Sequence, residues 1–477
     1  MRSKWLGLGL GILTLIGCNA LWQGYLSPLD DVTDASINNS DLTGADLTGV
    51  PPADLTGADL TGVDLTGAPP VDMAMGKLCG FASAPSGTYR YAAYSTLQAL
   101  TNYQAQKVAV VDVDNDGLAE VAVADLNSAA KILKLRYDTA TSCSVNRIGT
   151  CDSTGPSWDI QGLTVSSTVG TFLIARNNNN NTAITTCSGA TFTPKNITST
   201  GFGSSCTIRD LTVPPAKTQI NSQTNAVAIF HEKCKDPTGD RLTSLKFNPL
   251  DLSTVTTLPL SNITVNGNNF EPRWGNGARI DEGATDSTLD AIAFEVQGST
   301  AGRLVFYNNN LSTSPAVIKA TVPVTASVAD SNDLTFARLT ADTFDDAIAI
   351  SRSTNQITPY HMTALNMVTV KSPIMIPSGS NDKSKIMFAD LNNDGLDELI
   401  VVNGTNISLY GYNSTNNTLT GPQNLAVKPG YTAVSIALGY LEKGYSSSGP
   451  DIFVVSSAST NLNEVGVFRY VPMGVAP

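Results

Sequence analysis

Val108-Ala-Val-Val-Asp112-Val-Asp114-Asn-Asp116-Gly117-Leu118-Ala-Glu120-Val-Ala-Val123 is the stretch on which the fold turns. Two apolar runs of strand length flank a loop with carboxylates at its positions 1, 3, 5 and 9 and a glycine at 6. The pattern returns as Lys385-Ile-Met-Phe-Ala-Asp390-Leu-Asn392-Asn-Asp394-Gly395-Leu396-Asp-Glu398-Leu-Ile-Val-Val402. Calcium is a hard cation that takes roughly six to eight oxygens in a flexible shell. A loop offering oxygens at alternate residues can wrap it, provided one residue bends sharply. Gly117 and Gly395 supply that bend, because glycine tolerates positive φ. Asp112, Asp114, Asp116 and Glu120 are then side-chain ligands and Leu118 a backbone carbonyl ligand. The second set is Asp390, Asn392, Asp394, Leu396 (carbonyl) and Glu398. Each loop packs four acidic side chains, Asp397 being the fourth in the second, and these repel one another without a cation. A polar hairpin turn of ordinary Asp, Asn and Gly composition is the alternative. Two copies with one spacing favour the ion, so about two structural calcium ions are expected.

Both stretches resemble the FG-GAP/VCBS repeat, the calcium-loop blade of integrin-alpha-like β-propellers. The resemblance rests on the D-x-[DN]-x-D-G-x-x-[DE] spacing followed by an apolar strand. It implies a propeller with structural calcium in hairpin loops at one face.

Working outward, the strand that follows each loop recurs. Its first residue is Glu120, then Thr171, Asn225, Asp290, Asp346, Glu398 and Asp451, in steps of 51, 54, 65, 56, 52 and 53 residues. A period of about 55 residues holds four short strands with their turns, which is one propeller blade. The expected fold class is therefore all-β, a seven-bladed β-propeller over residues 77–477, with six or eight blades as alternatives. The seventh unit runs out after three strands, and Thr88–Leu97 is expected to supply the fourth and close the ring, leaving no open sheet edge.

Only the first and sixth loops keep the full ligand set. In the fifth, Arg338 stands at the first ligand position, and its charge is expected to replace the ion by pairing with Asp342 or Asp346. The fourth, Asp281 to Asp290, is out of register.

The chain has 477 residues, 39 glycines and a net charge of −12. Few charges and many turn residues suit an all-β protein, and the negative balance argues against nucleic acid as a partner. Residues 1–18 read as a signal sequence, with Arg2 and Lys4 ahead of an apolar core from Leu6 to Ile16 that is too short to span a bilayer. Leu15-Ile16-Gly17-Cys18 resembles a bacterial lipobox, which implies lipidation of Cys18 and a membrane anchor without a transmembrane helix. In the lipoproteins it resembles an Asp after the cysteine favours the inner membrane, so Asn19 in that place implies the outer membrane, with a periplasmic or surface-exposed domain. Residues 19–76 hold nine Asp and no Lys or Arg. Asp-Leu-Thr-Gly occurs there five times, from Asp41, Asp46, Asp54, Asp59 and Asp64. The five-residue step resembles pentapeptide repeats. Pro51-Pro52 breaks the phase and so few repeats bury little, so a solvated, disordered acidic tether is expected.

Six cysteines remain: Cys79, Cys143, Cys151, Cys187, Cys206 and Cys234. An even number in an exported chain suggests disulfides. Nearest-neighbour pairing gives Cys143–Cys151 and Cys187–Cys206, leaving Cys79–Cys234, one of many connectivities that six cysteines allow. The two histidines, His231 and His361, sit in no triad and no metal-ligand spacing, so no catalytic residue or other cofactor is assigned, and an enzyme is not the favoured reading. The Asn-rich runs Asn177–Asn181 and Asn308–Asn310 offer groups for sugar hydroxyls. The expected role is binding or adhesion at the bacterial cell envelope, toward an unidentified protein or glycan. A lectin-like glycan-binding module and an envelope hydrolase or lyase on a propeller scaffold are the alternatives.

Overall fold

The computed structural model describes the chain from Gly87 to Val471 except residues 138–142, 152–155, 167–168, 179–180, 190, 198–205, 214–226, 235–240, 248–254, 260–270, 279–289, 298–300, 308–317, 325–331, 343–344, 352–353, 365–366, 378–384, 443–448 and 460–461. The chain divides into Met1–Lys77 and Leu78–Pro477, and every described residue belongs to the second unit. The readings placed on residues 1–18 and 19–76, on Cys79, on the fourth loop before Asp290 and on Asn308–Asn310 lie outside the described residues.

After β1 (Ser95–Thr101), strands follow in groups that each form one antiparallel sheet. The first sheet is β2 (Ala105–Val111), β3 (Glu120–Asp125), β4 (Lys131–Tyr137) and β5 (Cys143–Thr150). The second is β6 (Ser157–Ser166), β7 (Val169–Asn178), β8 (Asn181–Ser188) and β9 (Thr193–Ile197). The third is β10 (Cys206–Thr212), β11 (Val227–Cys234), β12 (Arg241–Phe247) and β13 (Val255–Pro259), and the fourth is β14 (Glu271–Ala278), β15 (Asp290–Gln297), β16 (Ala301–Tyr307) and β17 (Ile318–Val324). The fifth is β18 (Asn332–Ala337), β19 (Asp346–Ser351), β20 (Gln356–Ala364) and β21 (Met367–Val370), with β22 (Ile374–Met375) also on β20. The sixth is β23 (Ile386–Ala389), β24 (Glu398–Asn403), β25 (Asn406–Asn413) and β26 (Thr418–Ala426). The last is β27 (Thr432–Gly439), β28 (Asp451–Ser459) and β29 (Leu462–Phe468), completed by β1.

The second strand of a sheet explains why these sheets stack. β3 and β19 are buried at every residue. A strand covered on both faces reads as a continuous apolar run instead of an alternating one. Its two faces serve different neighbours, because successive side chains point to opposite sides. Val121 and Val123 pack with Phe453, Val455, Val465 and Val467 of the last sheet. Ala122 and Ala124 pack with Phe172 and Ile174 of the second. In the same way Leu399 and Val401 pack with Ile348 and Ile350 of the fifth sheet, while Ile400 and Val402 pack with Ile452 and Val454 of the last. Burying each such side chain stabilises by about 1.5–3 kcal/mol.

The first strands of successive sheets touch: β2 meets β27 and β6, β10 meets β6 and β14, and β18 meets β14 and β23, which in turn meets β27. Asp159 on β6 ties three sheets, pairing with Lys107 of β2 at 2.9 Å and accepting the Leu211 N–H of β10 at 3.2 Å. At Gly170 a Cβ would stand 2.2 Å from the Asp112 carbonyl oxygen, so the second sheet approaches the first closely there. Four-stranded sheets packed face to face around their innermost strands are a β-propeller. Among the described residues there is no α-helix, and none long and apolar enough to cross a membrane.

The closing strand starts later than the sequence suggested. Residues 90–92 clasp residues 469–471, with Tyr91 bridging Tyr470, Arg469 carbonyl accepting from Ala92 N–H, and Arg90 carbonyl accepting from Val471 N–H. The paired strand is Ser95–Thr101, antiparallel to β29. Its β-prone character continues past Leu97 to the buried Leu100.

The cysteine pairing is corrected. Cys151 and Cys187 form a disulfide, with Cα atoms 5.7 Å apart. It joins the end of the first sheet to β8 of the second. Cys206 and Cys234 are register partners on β10 and β11, and Cys143 stands opposite Tyr137. Nearest neighbours in sequence mislead here because stacking sheets brings residues a strand or more apart face to face.

Candidate metal centre

Both acidic loops connect the first strand of a sheet to its second, β2 to β3 and β23 to β24, and they are built alike. Gly117 has φ 89° and Gly395 φ 90°, and Asn115 and Asn393 both have φ 59°. A Cβ on either glycine would meet nothing within 4 Å, so glycine is there for its backbone conformation and not for space. The first aspartate binds the turn from within: Asp112 accepts from Asn115 and Gly117 N–H at 2.7 and 3.3 Å, and Asp390 from Asp394 and Gly395 N–H at 3.1 and 3.0 Å. Asp116 and Asp394 accept from Leu118 and Leu396 N–H at 3.0 and 2.8 Å. The closing glutamate folds back to the loop's start. Glu120 accepts from Val113 N–H at 2.9 Å, and Glu398 from Leu391 N–H at 2.7 Å.

Asp112, Asp114 and Asp116 bring one carboxylate oxygen each within 4.8 Å of one another. The other oxygen of Glu120, Oε1, is buried and has no hydrogen-bond partner. Its side chain is 0 % exposed. Burial pushes the Glu120 carboxyl up from 4.5 to about 8, with Asp114 and Asp116 pushing the same way against the pull of the Val113 N–H and of Lys134. Burial likewise raises Glu398 to about 7, aided by Asp394 and Asp390. Each loop therefore gathers more negative charge than its surroundings neutralise. A hard cation fits this donor set, in which three aspartates converge and one buried glutamate oxygen lacks a hydrogen bond.

A nitrogen donor stands among the carboxylates of each loop. The Lys134 ammonium, from β4, pairs with Asp114, with Asp116 at 3.0 Å and with Glu120 Oε1 at 3.9 Å. Burial disfavours that charge, but hydrogen bonds to Asp114 and Asp116 more than offset it and raise its pKa. In the sixth sheet the Asn392 amide donates to Asp394 at 2.9 Å and to Glu398 Oε1 at 3.0 Å. Asp397 is not turned into its loop. Its carboxylate accepts the Arg338 N–H at 2.7 Å and its own N–H donates to the Arg338 carbonyl at 2.8 Å, which anchors the sixth loop to the fifth sheet. Ala119, one residue before Glu120, is anchored alike by donating to the Leu441 carbonyl of the last sheet at 2.8 Å.

In the fifth sheet the basic side chain beside Asp346 and Asp342 is His361, not the expected Arg338. His361 Nδ1 lies 2.9 Å from Asp346 and Nε2 3.7 Å from Asp342, while Arg338 reaches Asp345 at 3.9 Å. In the last sheet Arg469 pairs with Asp451 at 3.1 Å and with Glu442. His231 lies on β11 with Asp210 as its register partner. Lys134 and Arg469 escaped the sequence reading, although each is a charge inside a buried apolar run, between Leu133 and Leu135 and after Phe468.

A family model for pentapeptide repeats matches residues 31–68 in eight copies. No curated protein matches the sequence. Similar solved structures include BBS1N in complex with ARL6DN, at 11% identity over 80% of this chain and 95% of that chain with a TM-score of 0.45. Saccharomyces cerevisiae Sqt1 follows at 11% identity, 78% and 98% coverage and a TM-score of 0.45, and the Dos1 propeller at 10%, 76% and 77%, and 0.42. At these scores the likenesses add nothing to the fold already read from the strands.

Proposed function

We propose that the protein is a lipid-anchored, calcium-binding, seven-bladed propeller of the FG-GAP/VCBS type that serves as a binding or adhesion module at the bacterial cell envelope. The seven sheets are read as seven blades of one ring that β1 closes. A propeller scaffold suits a binding module. The observation that carries the calcium reading is the convergence of Asp112, Asp114 and Asp116, beside a buried Glu120 Oε1 that has no hydrogen-bond partner. Asp112, Asp114, Asp116, Glu120 and the Leu118 carbonyl would hold one ion, and Asp390, Asn392, Asp394, Glu398 and the Leu396 carbonyl the other. The ion would supply rigidity, neutralising the loops that join first and second strands and holding them for contact with a protein or glycan. The anchor reading rests on Cys18 in its lipobox-like setting and predicts that Cys18→Ala moves the protein from the membrane to the soluble fraction.

Melting the full chain with calcium and with chelator tests the metal. Binding to the folded state alone stabilises by about 2.7 kcal/mol per site at a hundredfold excess over Kd, so chelation should lower Tm by several degrees. The chelated protein should also respond to pH. Below 4.5 both folded and unfolded states keep Glu120 and Glu398 protonated. Above it the unfolded chain releases those protons while the folded one holds them until about 8 for Glu120 and about 7 for Glu398, so stability falls as pH rises through that window. Calcium should abolish the fall. A Tm indifferent to calcium at pH 8 would sink the metal reading.

A further inference from the structure

The strand register places one residue of each third strand directly across from the carboxylate that closes the loop. Val121 pairs with Leu133, so Lys134 stands opposite Glu120. Ala347 pairs with Tyr360, so His361 stands opposite Asp346. Ile452 pairs with Phe468, so Arg469 stands opposite Asp451. Leu399 pairs with Tyr410, so the residue opposite Glu398 is Gly411. Three of these four sheets thus carry a basic side chain at one equivalent position, and all three touch the carboxylate they face, at 3.9, 2.9 and 3.1 Å. The sixth has no side chain there at all. A Cβ on Gly411 would come 3.2 Å from the Tyr89 hydroxyl and 2.7 Å from Thr420 Oγ1, so neutral groups border that position.

We propose that this third-strand residue decides whether a loop carries its own cation or takes a metal ion, and that Lys134 makes the first loop the weaker of two calcium sites. The inference rests on the calcium reading of the loops. The fifth and last sheets have lost the glycine-centred ligand set and keep an internal basic side chain, His361 or Arg469. The sixth has the ligand set and no cation at that position. The first has both. There an entering ion must displace the Lys134 ammonium from Asp114, Asp116 and Glu120 before it can use their oxygens. Competition of this kind lowers apparent affinity without changing the ligands.

Calcium titration of the full chain by calorimetry separates the possibilities. Asp394→Asn disables the sixth loop and leaves the first to be measured alone. Adding Lys134→Met should tighten calcium binding about tenfold or more, as expected for releasing hydrogen bonds between charged partners. Lys134→Arg keeps the charge and should keep the weak affinity. In chelator Lys134→Met should melt below the wild type, and calcium should restore it, a readout independent of affinity. Equal first-loop affinity with and without the Lys134→Met substitution, with the sixth site intact in the wild type, would overturn this proposal and leave the calcium reading standing. Absence of calcium binding by the wild type and by Lys134→Met alike would overturn both.

Discussion

Replacing Arg469 with methionine is expected to destabilise the domain by about 3–5 kcal/mol at neutral pH, the usual result of removing one partner from a buried ion pair. The Arg469 side chain is 4% exposed and lies between Asp451 and Glu442, themselves 7% and 3% exposed. Methionine would fill most of the volume but leave two carboxylates without their counter-ion. The damage should spread. Asp451 also accepts the N–H groups of Leu441 and Tyr470, at 2.9 and 2.8 Å. Leu441 in turn receives Ala119 of the first acidic loop, and Glu442 bridges Leu118. The triad therefore holds the wall against which that loop is built. Urea unfolding at pH 7 and 5 checks this. The loss should shrink at the lower pH, where abandoned carboxyls can take up protons, and Arg469→Met with Glu442→Gln and Asp451→Asn should recover much of it. An Arg469→Met protein as stable as wild type at pH 7 would mean that water reaches the triad.

Removing the Cys151–Cys187 disulfide is expected to cost a similar amount. The bond closes a loop with a sequence separation of 36, for which the chain-entropy relation gives about 4 kcal/mol. Both half-cystines are buried, at 1% and 0% exposure, within the cluster that packs Ala122, Ala124 and Ile132 of the first sheet against Phe172 and Ile174 of the second. The double variant Cys151→Ala, Cys187→Ala keeps most of that packing and isolates the cross-link. Its unfolding midpoint should fall clearly below that of the oxidised wild type and lie near that of the wild type after reduction. A wild-type midpoint that ignores reductant would refute the assignment.

The strands were legible in the sequence wherever burial on both faces left a continuous apolar run. The apolar runs mark Glu120, Asp290, Asp346, Glu398 and Asp451 as strand starts, and β3, β15, β19, β24 and β28 begin on those residues. β7 and β11 begin at Val169 and Val227, near Thr171 and Asn225. The loop geometry was also legible, because only glycine comfortably holds the positive φ of Gly117 and Gly395. What stayed hidden depends on register across a turn of variable length. Lys134 and Arg469 become meaningful only when β3 is folded onto β4 and β28 onto β29. Asp397 looked like a fourth loop charge because nothing in one sequence reveals that Arg338 N–H of the preceding sheet waits for it. Arg338 is the residue the loop pattern points to, and His361 is the one that stands beside Asp346, for the same reason: the loop position is visible in sequence and the facing strand is not.

The pairing of β1 with β29 has a consequence for the order of events in making the protein. Ser95 lies opposite Val467, so one of the first strands to be synthesised must wait for one of the last. Contacts this distant in sequence make folding slow, because a long stretch of chain must be ordered before they form. Until that happens β1 and β29 each present an unsatisfied edge, a template for pairing with another molecule. A newly emerging chain is thus vulnerable to aggregation until β29 appears, and a chaperone that shields Ser95–Thr101 during that interval would raise the yield of native protein without touching its stability.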